Sequence, residues 1–325
     1  MTRVLCLRPQ ADFARVDALP PASLAVDYRA PTDADVTALM RQAAALVIPA
    51  VGPKLPSTLF EATTLKLVQV TGAGLDRLDI AALTQSGIPI ANVPGGSNSA
   101  LAEYAVAVSS LLLRRFGWAD AEIKRGNYAA YRARLIADNL AGLEGLLIGV
   151  VGLGTIGLAV ARAFAEANCR VCYYDPAPAD PQAARNLGAQ AMPLDELLQS
   201  ADVVTVHVPL IPATQGLIGA KQLASMKKGA ILVQASRGGI VDETALADSL
   251  RSGHLGGAAV DVYSTEPPSA DNPLLGLDGE AGQRLLLTPH IAGVTRQSAA
   301  FLFRTAWQNV ERVLIKGEAA LYRAN

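Results

Sequence analysis

A glycine-rich hexapeptide is the feature that most constrains how this chain can fold. Gly152-Leu153-Gly154-Thr155-Ile156-Gly157 follows the apolar run Leu147–Val151 and precedes a helix-like stretch from Leu158 to Ala167. Glycines at these spacings permit a sharp turn between strand and helix. They also let a pyrophosphate approach the backbone N–H groups at the positive end of the helix. The segment therefore predicts the start of a dinucleotide-binding domain.

A carboxylate beyond the glycine turn indicates which dinucleotide binds. Asp175 ends the next apolar run, about 20 residues on, where an acidic side chain accepts hydrogen bonds from the adenosine ribose hydroxyls. The same charge repels a 2′-phosphate, and Asp175-Pro176-Ala177-Pro178 offers no arginine to hold one. We predict NAD as the cofactor. The alternative, in which the glycines mark only a tight turn and Asp175 only caps a strand end, is disfavoured by the strand-turn-helix context.

Two series of apolar runs alternate with helix-like stretches, and each series predicts a parallel α/β sheet. The first series of strand candidates is Val4–Leu7, Leu24–Tyr28, Ala45–Pro49, Leu67–Val70 and Ile88–Val93. The second is Leu147–Val151, Arg170–Tyr174, Val203–Val208, Ile231–Gln234, Ala258–Val262 and Leu285–Thr288. A sheet of six strands with intervening helices is typical of a doubly wound, Rossmann-type nucleotide-binding domain.

The length of the chain, 325 residues, favours two lobes, because single cores stop growing beyond roughly 250 to 300 residues. A helix is predicted over Asp33–Ala44, and a long apolar helix from about Ser99 is predicted to connect the lobes. An amphipathic helix over Ser298–Leu314 is predicted to return to the first lobe. We therefore predict a cofactor domain at 99–291 and a discontinuous substrate domain at 1–98 and 292–325.

Composition excludes several classes of partner. A net charge of -1 provides no long-range field that favours nucleic acid or an anionic membrane. The first residues run directly into a strand-like segment and lack the features of a secretory signal, so we expect a cytoplasmic protein. The most apolar stretch, Leu140–Ala167, contains three charged side chains and several glycines, which argues against a membrane span.

Cysteine usage argues against disulfides and against a metal site. The chain has only Cys6, Cys169 and Cys172, too few for a disulfide framework. Cys169 and Cys172 match a C-x-x-C pattern, but they lie in a strand-like run, where positions three apart face opposite sides. We predict no metal.

Three later segments carry the residues that suggest a reaction. They are Gln234-Ala235-Ser236-Arg237-Gly238-Gly239-Ile240-Val241-Asp242-Glu243, Val260-Asp261-Val262-Tyr263-Ser264-Thr265-Glu266-Pro267 and Thr288-Pro289-His290-Ile291-Ala292-Gly293. In sequence, order and spacing they resemble the signatures of the D-isomer-specific 2-hydroxyacid dehydrogenases, and the likeness covers essentially the whole chain. The resemblance implies a Rossmann-type cofactor domain, a flavodoxin-like substrate domain, an active site in the cleft and a homodimer.

The three candidate catalytic residues have the chemistry that reduction of a 2-keto acid needs. Arg237 offers a planar fork of donors that can hold a substrate carboxylate or polarise its carbonyl. His290 would donate a proton to the carbonyl oxygen as hydride arrives, and Glu266 would orient the imidazole. Each residue alone has a structural alternative: a surface ion pair for Arg237, a Glu-Pro turn for Glu266 and a helix cap for His290. Their joint occurrence in matching context favours catalysis.

The resemblance also implies further contacts. For the cofactor these are the pyrophosphate at Thr155 and Ile156, the adenosine at Val208 and Pro209, the nicotinamide side at the Ala235 backbone, and the carboxamide at Asp261. The turn Thr71-Gly72-Ala73-Gly74-Leu75-Asp76 resembles the family's loop whose backbone N–H groups receive the substrate carboxylate, which predicts Ala73 and Gly74 as substrate-binding.

Two of the departures from the family pattern bear on the substrate side. Arg77 stands where many members carry asparagine; a solvated surface arginine is the favoured interpretation, and a second cation for an extra anionic group is the alternative. Ser97 replaces an asparagine that is often seen ahead of the connecting helix, so the substrate-side hydrogen bonds are expected to differ.

The sequence thus predicts an NAD-dependent oxidoreductase that interconverts a small 2-keto acid, such as glyoxylate or hydroxypyruvate, and its D-2-hydroxy acid. One alternative is a non-catalytic NAD(H)-sensing protein, like the corepressors that resemble this family. Another is a dehydrogenase of a different hydride donor, such as phosphite.

Overall fold

The computed structural model describes residues 1–325 and divides into two compact units. One unit is Met1–Ser97 with Val294–Asn325, and the other is Asn98–Gly293. Both are α/β units built on parallel sheets, which confirms the predicted fold class. The sequence-based domain limits, 98/99 and 291/292, and the substrate-binding role of the first unit stay predictions.

The sheet of the first unit has five parallel strands in the order β2-β1-β3-β4-β5. Their bounds are β1 Thr2–Cys6, β2 Leu24–Tyr28, β3 Ala45–Ile48, β4 Leu67–Val70 and β5 Ile90–Ala91. This order is the flavodoxin-like doubly wound order. The helices before the second unit are α1 Gln10–Ala14, α2 Val36–Met40 and α3 Ile80–Gln85, with a 3₁₀ turn at Ser57–Phe60.

Both faces of this sheet are buried, as a parallel sheet between helices requires. Alternate residues of β1 and β3 enter different clusters: Leu5 and Leu46 on one face, Val4 and Ala45 on the other. The helix predicted over Asp33–Ala44 is shorter than expected. The Asp33 carboxylate accepts a hydrogen bond from the Ala30 amide at 2.9 Å and so forms a turn ahead of α2.

The sheet of the second unit has seven parallel strands in the order β12-β11-β10-β9-β6-β7-β8. Their bounds are β6 Leu147–Val151, β7 Arg170–Tyr174, β8 Gln190–Ala191, β9 Val203–Val206, β10 Ile231–Gln234, β11 Gly257–Val260 and β12 Leu285–Leu287. From β6 onward this is the Rossmann order with one added strand. The prediction of six strands was wrong by one. The extra strand β8 is two exposed residues at the sheet edge, which leave no apolar signal in the sequence.

Helices cover both faces of the second sheet and bury two large apolar clusters. The helices of this unit are α4 Asn98–Leu113, α5 Phe116–Lys124, α6 Tyr128–Ala137, α7 Thr155–Glu166, α8 Pro181–Asn186, α9 Leu194–Ser200, α10 Ala220–Ser225, α11 Glu243–Arg251 and α12 Gly279–Gln283. The last helix, α13 Arg296–Leu314, belongs to the first unit, where Phe303 and Trp307 pack on Phe13. No helix has the length and apolar character needed to cross a membrane.

Candidate active site

The candidate residues of the second unit gather at one edge of its sheet. Because all seven strands are parallel, the segments that follow them leave from the same edge, where doubly wound folds bind ligands. The residues are Gly152, Gly154, Thr155, Ile156 and Gly157 after β6, Asp175 after β7, Val208 and Pro209 after β9, Ala235 and Arg237 after β10, Asp261 and Glu266 after β11, and His290 after β12.

The glycine turn is shaped by close backbone approaches that exclude side chains. A Cβ at Gly152, whose φ is +93°, would lie 2.7 Å from Val208 Cγ1, and one at Gly157 would lie 1.9 Å from the Gly152 carbonyl oxygen. A Cβ at Gly154 would meet nothing within 4 Å, and Gly154 caps α7 with no side chain over the helix end. The free amides at that positive end fit the pyrophosphate of a dinucleotide.

The Asp175 carboxylate is held in place by the glycine turn itself. Its Oδ2 accepts a hydrogen bond from the Leu153 amide at 2.6 Å, and its Oδ1 accepts one from the Ala177 amide at 2.8 Å. Each carboxylate oxygen offers two lone pairs, so both retain an acceptor site for the ribose hydroxyls. Asp175 therefore has a structural role, and its arrangement also fits the predicted contact with ribose.

His207, a neutral polar residue, lies between β9 and Val208, at the same edge of the sheet as the glycine turn. Its amide donates to the Val151 carbonyl oxygen at 2.7 Å, and its Nε2 lies 2.7 Å from Thr205 Oγ1. Its Nδ1 is buried without a hydrogen-bond partner, and burial lowers the pKa of His207 to about 4. Beside it, Val208 is half-buried and Pro209 is exposed.

The structure brings His290 and Glu266 into direct contact. His290 Nδ1 lies 2.9 Å from Glu266 Oε2, and the other oxygen, Oε1, accepts a hydrogen bond from the Tyr263 amide at 3.1 Å. The side chains are 24% and 29% exposed, so the pair is open to a ligand. Because Nδ1 faces the carboxylate, Nε2 is the ring atom left for proton exchange.

His290 has an unusual backbone conformation that the sequence did not reveal. Its φ is +55°, in the left-handed region that residues other than glycine seldom adopt. Its amide donates to the Asp261 carbonyl oxygen at 2.8 Å. Backbone strain of this kind persists only where neighbouring contacts fix it.

The Asp261 carboxylate supplies most of those contacts. It is 1% exposed; its Oδ1 accepts from Thr288 Oγ1 at 2.5 Å and from the Ile291 amide at 2.8 Å, and its Oδ2 accepts from the Ala292 amide at 2.8 Å. Thr288 Oγ1 also lies 2.8 Å from the Tyr104 hydroxyl. Since the threonine gives its hydrogen to Asp261, the tyrosine donates. Asp261 thus braces the segment after His290, and the carboxamide contact stays a prediction.

Arg237 lies in a loop whose backbone is fixed by its own neighbours. Its Nη1 donates to the Ser236 carbonyl oxygen at 2.8 Å, and its carbonyl oxygen accepts from Gln234 Nε2 at 2.8 Å. A Cβ on the next residue, Gly238, would lie 1.8 Å from the Tyr263 carbonyl oxygen. The Arg237 loop therefore lies directly against the segment that leads to Glu266. Ala235, in the same loop, packs with Leu101 and Ala292.

The predicted substrate loop of the first unit follows β4. Its backbone is held by a 2.9 Å bond from the Val93 amide to the Gly72 carbonyl oxygen and a 2.8 Å bond from Asn92 Nδ2 to the Ala73 carbonyl oxygen. Ala73 is exposed and Gly74 is half-buried. Their substrate-binding role stays a prediction.

The interpretation of Arg77 as a solvated surface residue was wrong. Arg77 is 3% exposed; its Nε donates to the Pro53 carbonyl oxygen at 2.9 Å and its Nη1 to the Pro49 carbonyl oxygen at 3.1 Å. Burial lowers the pKa of its guanidinium. These carbonyl oxygens belong to a turn more than twenty residues earlier in the chain, and satisfy the guanidinium once it is buried.

The cysteines form no redox or metal centre in this structure. All three are buried free thiols, and burial raises the pKa of Cys6 to about 12 and that of Cys172 to about 11. A thiol with so high a pKa does not form the reactive thiolate at neutral pH. No group of three or more His, Cys, Asp or Glu side chains has the arrangement to hold a metal ion.

Comparison with known proteins places this site in a family. The model of the D-isomer specific 2-hydroxyacid dehydrogenase, NAD binding domain, matches residues 106–292. That match covers the glycine turn and Asp175, and it confirms NAD as the predicted cofactor. A putative 2-hydroxyacid dehydrogenase of Haemophilus influenzae is 36% identical over 259 residues, which are 78% of this chain and 79% of that protein.

Two further relatives bear on the length and fold of the chain. The D-3-phosphoglycerate dehydrogenase of Archaeoglobus fulgidus is 42% identical over 237 residues, which are 73% of this chain and 43% of that protein. The chain thus spans less than half the length of this relative. A D-lactate dehydrogenase structure from Treponema pallidum superposes with a TM-score of 0.81, at 28% identity and with 100% of each chain covered.

Proposed function

Because the chain belongs to the D-isomer specific 2-hydroxyacid dehydrogenase family, we propose that it interconverts a small 2-keto acid and its D-2-hydroxy acid with NAD as the hydride carrier. The observation that carries the proposal is the 2.9 Å contact between His290 Nδ1 and Glu266 Oε2. It supplies an oriented acid at the sheet edge that also holds the glycine turn.

The reaction needs a hydride at the carbonyl carbon and a proton at the carbonyl oxygen. Bound NADH supplies the hydride. His290 donates the proton from Nε2 and takes it back in the oxidative direction. Glu266 holds the opposite ring nitrogen, so it fixes the ring and stabilises the imidazolium while the proton is on Nε2. The Tyr263 amide, bonded to the other carboxylate oxygen, limits rotation of Glu266.

The substrate carboxylate is the second group to be recognised. We propose that the Arg237 guanidinium binds it, since a planar fork of donors matches a carboxylate and lysine does not. In the first unit, the amides of Ala73 and Gly74 are the proposed carboxylate donors, because glycine in such a loop permits a close backbone approach. Glyoxylate and hydroxypyruvate are the proposed keto acids.

The proposal is tested by NADH consumption with a panel of 2-keto acids of different length and charge. The panel contains glyoxylate, hydroxypyruvate and, because of the relatives named phosphoglycerate dehydrogenase, phosphohydroxypyruvate. Phosphite with NAD is the control for the other donor. Turnover of a keto acid supports the proposal. NADH binding with no turnover of any keto acid overturns it and favours a cofactor-sensing protein or a different donor.

Replacement of Arg237 by lysine tests the carboxylate contact. We expect Arg237→Lys to raise the KM for the keto acid about tenfold or more, since a bidentate contact is lost, while the KM for NADH stays near wild type. The two constants come from the same spectrophotometric assay. Equal losses for keto acid and cofactor would mean that Arg237 supports the loop rather than the substrate.

We also propose that a second copy of the chain covers part of the cofactor unit. Helices α5 and α6 expose four large apolar side chains, Phe116, Ile123, Tyr128 and Ile136, which are between 48% and 63% exposed. Large exposed apolar side chains on two successive helices favour an interaction surface there. Light scattering on the purified protein distinguishes a dimer from a monomer.

A further inference from the structure

A carboxylate outside the predicted site contacts the segment that carries Glu266. Glu243, the first residue of α11, accepts a hydrogen bond at Oε1 from the Ser264 amide at 2.6 Å. Its Oε2 accepts one from Asn272 Nδ2 at 2.6 Å. Ser264 lies two residues before Glu266, and the preceding residue, Tyr263, donates its amide to Glu266. Glu243 therefore contacts the backbone on which Glu266 depends.

Helix capping does not account for this placement. An acidic side chain in the first helical turn is favoured by the helix dipole alone. Here, however, the cap of α11 is Asp242, whose Oδ1 accepts from the Ala245 amide at 3.0 Å. Glu243 instead directs both of its oxygens away from the helix, to Ser264 and Asn272.

The same segment contacts the Arg237 loop. A Cβ at Gly238 would lie 1.8 Å from the Tyr263 carbonyl oxygen and 2.5 Å from the Ser264 nitrogen, so the two backbones touch. The stretch from Arg237 to Glu243 thus meets the 263–264 backbone twice: by close packing at Gly238 and by hydrogen bonding at Glu243. This double contact joins the loops that carry two of the proposed catalytic groups.

We propose that Glu243 is a positioning residue: by binding the Ser264 amide and the Asn272 side chain, it places Glu266 against His290 and fixes that pair relative to the Arg237 loop. The inference rests on the proposed function for the roles of Glu266 and His290. A carboxylate is required because both partners are donors. Glutamine would keep one acceptor but turn an NH₂ group toward the other donor.

A reciprocal exchange tests this requirement without changing the size of either side chain. Glu243→Gln should lower kcat about tenfold, the rate equivalent of one hydrogen bond to a charged group, with the KM for NADH unchanged. Asn272→Asp should also lower kcat, because two carboxylates then face each other. In the double variant, the introduced glutamine can donate to the introduced aspartate and still accept from the Ser264 amide. The kcat of the double variant should therefore return to within about threefold of wild type.

The control is another carboxylate on the same helix. Asp248 is 68% exposed at its side chain and pairs only with Arg251, at 2.8 Å, so Asp248→Asn should leave kcat at the wild-type value. The proposal is overturned if Glu243→Gln keeps wild-type kcat, or if the double variant is as slow as the slower single variant.

A second readout does not depend on turnover. The proton on His290 Nδ1, hydrogen-bonded to Glu266, should give a low-field proton resonance, identified by its loss in His290→Asn; the chain has only 3 histidines. This resonance should broaden or shift in Glu243→Gln and recover in the double variant. If wild type reduces no keto acid but the resonance responds in this way, the proposed function fails and the positioning role stands. A resonance unaffected by Glu243→Gln overturns the positioning role.

Discussion

The two halves of the ligand-binding edge in the second unit are built by opposite means. The half that follows β6 and β7, which we call the cofactor half, is shaped by backbone amides and by missing side chains: a Cβ at Gly157 would lie 1.9 Å from the Gly152 carbonyl oxygen. The half that follows β10 to β12, which we call the acid-base half because of its proposed role, is built from side chains that hydrogen-bond to one another, such as Glu266 with His290. The cofactor half is therefore sensitive to added volume, and the acid-base half to lost hydrogen-bonding capacity.

The two histidines at this edge, His207 and His290, show the same contrast. His207 Nδ1 is buried without a partner, and desolvation keeps the ring neutral. His290 is partly open, and its Nδ1 faces a carboxylate 2.9 Å away, which suits a residue that must carry a proton. The fold thus buries one imidazole as a neutral group and leaves the other, the proposed proton donor, open to a ligand.

The largest expected effect follows from removal of the proposed proton donor. His290→Asn should lower kcat by about 10² to 10⁴, the usual contribution of general acid-base catalysis. Asparagine tolerates the left-handed backbone, whose φ at His290 is +55°, so the melting temperature should stay near wild type. Activity is measured with the best keto acid of the panel.

The matched control is His254, a half-buried residue in the segment between α11 and β11 and outside the candidate site, whose replacement by asparagine should leave kcat unchanged. A His290→Asn protein that retains near wild-type kcat would remove the distinction between the two halves.

The next effect is on stability, and it concerns His207. Burial lowers its pKa to about 4 from the ordinary 6.5, so between these values the unfolded chain binds a proton that the folded protein does not. The free energy of unfolding should then decrease as the pH falls, with about 2 kcal/mol lost through this group from pH 7 to pH 5. His207→Gln cannot titrate, and its amide can still bond to Thr205.

Urea unfolding of both proteins at the two pH values isolates this contribution, because other titrating groups cancel in the difference. We expect wild type to lose more stability than His207→Gln on acidification. Parallel losses would show that the His207 ring is accessible to solvent and that its burial does not set its charge.

The two sheets differ little in how well the sequence predicts them, since strand prediction depends on local patterns. Apolar runs that end at Gly152 and at Asp175 defined β6 and β7 to the residue, and the parallel class follows from their alternation with helices. Strand β8 was missed because two exposed residues at an edge are held only by pairing with β7. The glycine turn was predictable for the same reason as β6, as a local pattern.

Local sequence patterns could not predict the side-chain hydrogen bonds of the acid-base half. Glu243 reaches Ser264, 21 positions away, and Asp261 accepts from Thr288, 27 positions away. Such pairs exist only once the strand ends are brought together at the sheet edge. Arg77 was misjudged in the same way, because the carbonyl oxygen of Pro53 that accepts from it is 24 positions away. Charge and polarity in the sequence do not show which groups tertiary packing will satisfy.

The smallest expected effect tests whether the cofactor half uses any charge at all. Asp175 is the one acidic side chain of this half that is predicted to contact the cofactor. It accepts a hydrogen bond from the Leu153 amide at 2.6 Å, and its charge would repel a 2′-phosphate. Asp175→Ala should narrow the preference for NADH over NADPH in kcat/KM about tenfold, in line with one screened charge contact of roughly 1.4 kcal/mol. Asp175→Asn keeps an acceptor for Leu153 without the charge, so it should narrow the preference as much while losing less NADH affinity. If kcat/KM falls equally for NADH and for NADPH in both variants, Asp175 acts only on the shape of the glycine turn, and the cofactor half recognises its ligand by backbone alone.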